Sequence, residues 1–256
     1  MTTSHPLWSG PGPHITLAKN EVHVWRASLE APERVYSILQ RVLSTDEYGV
    51  ATRFYFERDR RRWTIAHGIL RMLLALYLDV DPSKLQFVTN DYGKPAIASP
   101  PGGKHLQFNL SHSGDLALYA FAYDRQVGID VERIRDNIEY EELARSHFSP
   151  YEYTMLQTLP LLIRKEAFFL CWSRKEAYIK AKGKGLSIPL DQFDMSLTPG
   201  EPATLLASRE EPEARERWSV QALAPGTSYV GALVVEGVGW QLRCWQWQRE
   251  GSASPG

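Results

Sequence analysis

Residues 127 to 132, VGIDVE, alternate Val127, Ile129 and Val131 with Gly128, Asp130 and Glu132. On a strand, alternate side chains leave opposite faces, so the two carboxylates would project side by side. Magnesium takes oxygen ligands, often one or two carboxylates completed by phosphate and water. The spacing therefore suits a hard-cation site, with Gly128 leaving room for a ligand, although the exposed face of an edge strand would look the same. A second stretch, WSRKEAYIKAKGKG at 172 to 185, crowds lysines, an arginine and a glutamate behind a tryptophan. Read as a helix, it places Trp172, Glu176 and Lys180 along one side, bordered by Lys175 and Ile179. Glu176 and Lys180 form at least a surface pair worth about 0.2–0.5 kcal/mol, with Gly183 and Gly185 ending the helix. Trp172, with Phe168 one turn before it, indicates a covered face, and a carboxylate and an ammonium at its rim suit a charged ligand. A third cluster joins YGKPAI to FNLSHSG. Pro95 stiffens the loop that offers Lys94, and Ser111 beside His112 at a strand end can donate to phosphate. Arg60, Arg61 and Arg62 precede the first apolar helix.

The elements that must position these residues repeat. EVHVWRASL alternates like a strand, RRRWTIAHGILRMLLALYL has helical spacing ended by DVDPSK, and KHLQFNLSHSGDLALYAFAY is a hairpin turning at Ser113-Gly114-Asp115. A long helix over roughly 165–182 and a second hairpin with Gly226 at its turn repeat the order. The chain thus reads as α+β, and two packed halves would leave a cleft between them, a preferred place for ligands.

Composition narrows the setting. The 256 residues, 43% hydrophobic and 23% charged, can bury one large core or two modest ones. A net charge of -1 and a pI near 6.7 give no global footprint for nucleic acid, so anion binding must come from local cations. Cys171 and Cys244 form no CxxC pair, which argues against a disulfide scaffold or zinc site and suits a reduced cytoplasmic compartment. The N-terminus has no signal-peptide pattern, and the apolar run GILRMLLALYL is short and broken by Arg71, so no membrane span is expected.

The ordered set YGKPAI, FNLSHSG, GIDVE, FSPYEY and WSRKEAYIKAKGKGLSIPL resembles the 4′-phosphopantetheinyl transferases of the long, surfactin-synthetase-activating class, from about Arg53 to Phe193. The resemblance implies two similar α+β halves packed as a pseudo-dimer: a flexible leader over 1–20, halves over 21–126 and 127–248, and a flexible tail over 249–256. It implies that a monomeric, cytoplasmic enzyme passes the 4′-phosphopantetheine arm of coenzyme A to a serine of an apo acyl or peptidyl carrier protein. The implied reaction is magnesium-dependent and releases 3′,5′-ADP, and no nucleic acid or membrane partner is expected.

Carried over by position, Asp130, Glu132 and Glu176 match the magnesium carboxylates, and Lys180 the lysine on the phosphates. Lys94, Pro95, Ser111 and His112 match positions that hold the adenosine end and its 3′-phosphate, and Arg62 a basic position on that side. Glu176 and Lys180 are then the catalytic pair, the serine proton passing to Glu176 or to a water on the metal. One departure is Glu47 and Val50, where relatives often carry lysines. Two rival readings are another magnesium-dependent nucleotide transferase, which lacks a GxxxxGK[ST] loop here, and an inactive carrier-docking or coenzyme A-sensing module, which a missing carboxylate would favour.

Overall fold

The helix-then-hairpin order occurs twice in the computed structural model, which describes residues 8–10, 15–103 and 105–247. The first half runs β1 (Glu21–Ser28), α1 (Glu33–Arg41), α2 (Thr45–Ala51), α3 (Glu57–Leu78), the short pair β2 (Phe87–Thr89) and β3 (Pro95–Ile97), then β4 (Leu106–Ser113) and β5 (Leu116–Tyr123). The second runs β6 (Val127–Arg133), α4 (Tyr140–His147), α5 (Pro150–Thr158), α6 (Leu161–Lys182), the pair β7 (Phe193–Met195) and β8 (Leu205–Ser208), a short α7 (Ala214–Arg217), then β9 (Trp218–Leu223) and β10 (Tyr229–Glu236). The long helices α3 and α6 have 22 residues each. In both halves the first strand pairs antiparallel with the last strand of the hairpin, giving β1-β5-β4 and β6-β10-β9. The last strand, β11 (Gln241–Gln246), crosses to the first sheet and pairs parallel with β1.

Three apolar clusters hold these layers. Ile65, Ile69 and Leu73 of α3 pack on Trp25, Tyr119 and Phe121 of the first sheet. Phe168, Cys171 and Tyr178 of α6 pack with Phe193, Trp218 and Val234. Between the sheets, Val127, Ile129 and Val131 of β6 meet Val22, Val24, Leu118 and Ala120. The alternation in VGIDVE follows from this: its apolar face is sealed between two sheets, and Gly128, Asp130 and Glu132 face α6.

Of the stretch read as a flexible leader, residues 8–10 and 15–20 are described, and they are docked. Trp8 Nε1 donates to Ala224 O at 2.8 Å, Gln246 N donates to Ser9 O at 2.7 Å, and Leu17 lies in the first core. The tail over 249–256 lies outside the described residues.

The room expected above Gly128 is filled by α6. A Cβ at this position would stand 2.8 Å from Ala181 Cα and closer still to Ala177 O and Ala181 N. A glycine in a strand interior commonly marks such a backbone approach. The helix is thereby laid against β6 at Ala177 and Ala181, and the intervening Lys180 is delivered to Asp130. We expect Gly128→Ala to cost about 3 kcal/mol, because both clashing groups are backbone and cannot repack. Gly49→Ala, in α2 with no atom within 4 Å of its Cβ, should instead gain about 0.5–1 kcal/mol. Urea unfolding of the two variants checks the contrast, and an undisturbed Gly128→Ala would contradict the close approach.

Candidate active site

The charges of the 172–185 stretch divide by direction. Lys175 is fully buried, and its ammonium meets the Glu152 carboxylate at 2.8 Å and the carbonyls of Leu190 and Phe193 at 2.6 Å each. Three donors thus find three acceptors, the condition under which a buried ammonium is tolerated. Glu152 is equally buried, accepts from Met195 N at 2.7 Å, and closes the capping box of α5 with Ser149. Arg174 donates to Ser196 O at 2.6 Å. Both cations hold α6 against the loop and strand that follow it. Trp172 packs on Phe168 and His147, with ring centroids 5.7 and 5.6 Å away, so the covered N-terminal end is borne out. The helix stops at Gly183, whose φ of 67° is left-handed and whose N–H returns to Ile179 O.

Glu176 and Lys180 face β6. Lys180 Nζ pairs across to Asp130 Oδ1 at 2.6 Å and donates to Ser111 Oγ at 3.2 Å, rather than pairing along the helix with Glu176. Ser111 Oγ donates to Asp130 Oδ1 at 2.8 Å. Asp130 is 3% exposed, and its other oxygen, Oδ2, is buried without a hydrogen-bond partner. Burial, and then the charge of Asp130, raise the Glu132 carboxyl to about 7, against the opposing pull of Ser113, Arg135 and Lys180. Burial raises Glu176 as well, with Asp130 adding to it and Lys180 opposing. Burial works against the Lys180 ammonium, but Asp130, Glu176 and Glu132 outweigh it and lift its pKa. Three carboxylates share one lysine, which leaves the cluster short of positive charge.

That donor set fits a hard divalent cation: its oxygens are carboxylate, one has no partner, and two carboxyls are raised by burial and by Asp130. The fit is one of chemistry and not of a closed cage. Among the described residues, no three His, Cys, Asp or Glu side chains converge as a metal-binding group.

The remaining expected site residues scatter around this cluster. His112 follows Ser111 and keeps an exposed edge, while partial loss of solvent around its ring, then the cations Lys180 and Arg62, lower its pKa. Arg62 pairs with Asp115 in the turn after β4. Pro95 and His112 line one cavity of about 400 Å³ with Trp63, His67, Phe87 and Asn109. Sequence reasoning missed Trp63 and His67, which are stacked at 3.7 Å; their i,i+4 spacing was the available signal. A larger cavity of about 640 Å³ beside Lys19, Tyr77 and Tyr123 includes none of the expected site residues. Lys94 is committed elsewhere: its ammonium donates to Gln126 Oε1, Val127 O and Ala181 O, each at 3.1 Å. It ties the start of β6 to the end of α6, and burial pushes its pKa down to about 8. Glu47 accepts from Arg71 Nε at 2.6 Å and caps α2, while Val50 is exposed.

Two family models match in tandem. Residues 24–123 match the 4′-phosphopantetheinyl transferase N-terminal model and 126–234 the 4′-phosphopantetheinyl transferase superfamily model, so they meet where β5 gives way to β6. The 4′-phosphopantetheinyl transferase HetI of Nostoc sp. strain PCC 7120 is 41% identical over 240 residues, 94% of this chain and 98% of that protein. The chain belongs to the 4′-phosphopantetheinyl transferase family. A second relative, the 4′-phosphopantetheinyl transferase Sfp of Bacillus subtilis strain 168, is 35% identical over 170 residues, 66% of this chain and 71% of that protein.

The raised Glu132 carboxyl gives this transferase-family chain a testable pH dependence. A carboxyl whose folded pKa lies above its unfolded value stabilises the fold below about pH 4.5, and that contribution is lost as pH rises through about 7. In chelator, Glu132→Gln should therefore gain stability relative to wild type as pH is raised from about 5 to about 8. Thermal unfolding across that range checks it. A wild-type-minus-variant difference that is flat with pH would contradict the crowding of Glu132 against Asp130.

Proposed function

We propose that the chain transfers the 4′-phosphopantetheine arm of coenzyme A to a serine of an apo carrier protein and releases 3′,5′-ADP. The observation that carries the reading is the Lys180–Asp130 contact, flanked by Glu132 and Glu176 and leaving Asp130 Oδ2 without a partner. Membership of the family supports the same chemistry. Asp130 and Glu132 would hold magnesium. A bound magnesium ion supplies charge stabilisation to the pyrophosphate as its bond opens.

This chain's own residues do the rest. Lys180, poised on Asp130, turns its ammonium to the phosphate oxygens and offsets the charge that accumulates there. The carrier serine oxygen forms a bond to the phosphorus of the pantetheine phosphate. The opposite P–O bond of the pyrophosphate breaks, and its electron pair leaves with 3′,5′-ADP. Glu176 takes the serine proton, a role suited to a carboxylate whose burial raises its pKa. His112 and Pro95, which share a cavity, take the adenosine end and its 3′-phosphate, with Arg62 reaching the phosphate on leaving Asp115. Lys94 and Ser111 shape the site through the contacts they make at the β6–α6 junction, and reach the ligand only by leaving them.

The chain works as a monomer with coenzyme A and carrier domains as its partners. Near-neutral charge supports the absence of a nucleic-acid partner. A cytoplasmic setting is supported by two buried free thiols, Cys171 and Cys244. No helix among the described residues is long and apolar enough to cross a membrane.

Incubation with coenzyme A, magnesium and a panel of apo acyl and peptidyl carrier proteins, read by intact mass, tests the reading. At least one carrier should gain a phosphopantetheine arm. Asp130→Ala should slow that gain by about 10²-fold or more while circular dichroism stays native. No mass gain on any carrier, or an Asp130→Ala protein as fast as wild type at low magnesium, would overturn it.

A further inference from the structure

β4 and β6 are edge strands of different sheets, yet they run side by side. Three side chains at alternate positions of β4 take the place of a backbone ladder between them. Asn109 Oδ1 accepts from Ile129 N at 2.8 Å, Ser111 Oγ from Val131 N at 3.4 Å, and Ser113 Oγ from Arg133 N at 3.1 Å. A hydroxyl has one proton to give and two lone pairs to receive with. With a lone pair of each serine turned to β6, the proton goes to the neighbouring carboxylate: Ser111 to Asp130 Oδ1 at 2.8 Å and Ser113 to Glu132 Oε2 at 3.0 Å. The seam that joins the two sheets thus also aims the two carboxylates.

We propose that Ser113 is a positioning residue for Glu132: its hydroxyl, fixed by Arg133 N, holds that carboxylate beside Asp130. Neighbouring carboxylates repel, so Glu132 without this bond swings away from Asp130. Asp130 has Lys180 in direct contact at 2.6 Å; Glu132 takes its hydrogen bond from Ser113, with the cations Arg135 and Lys180 acting from further off. The end of β4 is itself held in place. Gly114 follows with φ 58°, where a Cβ would meet Tyr229 Oη at 2.8 Å, and Asp115 N donates to the same Tyr229 hydroxyl at 3.2 Å. The turn is seated on β10, so Ser113 has little freedom to follow a carboxylate that moves. This inference rests on the proposed transfer reaction and its cation. It adds a residue that acts through Glu132 and touches neither substrate.

The test compares wild type, Ser113→Ala and Ser113→Thr by calorimetric titration of Mg²⁺ in the presence of coenzyme A without carrier, by transfer kinetics, and by thermal unfolding. Removing a hydrogen-bond partner of a metal-ligating side chain typically costs about 10–100-fold in affinity. Ser113→Ala should therefore weaken Mg²⁺ binding by about tenfold or more, with transfer recovered at high Mg²⁺ and the KM for coenzyme A unchanged. Ser113→Thr, which keeps the hydroxyl, should restore wild-type Mg²⁺ dependence. Should Ser113→Ala fail to fold, Ser113→Cys, similar in shape but a weak donor, serves in its place. Wild-type Mg²⁺ affinity in the Ala or Cys variant, even with a lowered melting temperature, would reduce Ser113 to a structural residue and overturn the proposal, as would a folded Thr variant that restores nothing. If Mg²⁺ binding depends on Ser113 but no carrier is modified by wild type, the transfer reading fails and the positioning role stands.

Discussion

The close approach of α6 to β6 at Gly128 is the constraint on which the rest of the arrangement depends. A strand residue without a Cβ lets the backbone at Ala177 and Ala181 settle on it. Helical periodicity then aims Lys180, which lies between those two alanines, and Glu176, one turn earlier, at the strand's carboxylates. Any larger residue at 128 would lift the helix and part Lys180 from Asp130. The apolar face of β6 is meanwhile locked between the sheets by Val127, Ile129 and Val131, so the strand cannot yield to the helix. Lys94 reinforces the junction from outside, bonding to Val127 O and Ala181 O at its two sides.

Burial and charge are reconciled in opposite ways on the two sides of α6. On one side, Lys175 and Glu152 are fully buried but closed: every donor of the ammonium has an acceptor, and the carboxylate accepts from the lysine and from backbone. Such a pair fixes geometry and has no capacity left for a ligand. On the other side, Asp130, Glu132 and Glu176 face a single lysine, with one Asp130 oxygen unpartnered. Glu152 on the closed side is raised by burial as well; what marks the open side as held in tension is the like charge of Asp130 on Glu132 and Glu176, a pattern found at functional sites. The first side makes the second possible, since a helix anchored by a satisfied buried ion pair can carry an unsatisfied cluster without shifting.

Much of this was legible in the sequence because it follows from periodicity. The period-2 pattern of VGIDVE gave the carboxylates a common face, the i,i+4 spacing put Glu176 and Lys180 together, and Gly114 and Gly226 marked hairpin turns that the structure contains. What was not legible depends on contacts between distant segments. Lys175 read only as bordering the Glu176–Lys180 side, since its buried partner Glu152 lies 23 residues earlier on another helix. Gly128 read as space for a ligand because nothing in its own strand reveals that α6 fills it. Lys94 read as a free clamp, whereas its acceptors come from residues 126, 127 and 181. The return of β11 to the first sheet is set by pairing with β1, and local pattern carries no trace of it.

The central claim is that the α6–β6 junction is an active site rather than a solvated helix face, and Glu176→Gln tests it most directly. The substitution keeps shape and removes a charge. Unfolding free energy and carrier-modification turnover would be measured on the same preparation. The account predicts turnover lowered by about 10²-fold or more with stability held or raised, since burial disfavours the charge that the substitution removes. Unchanged turnover, whatever the stability, would contradict it.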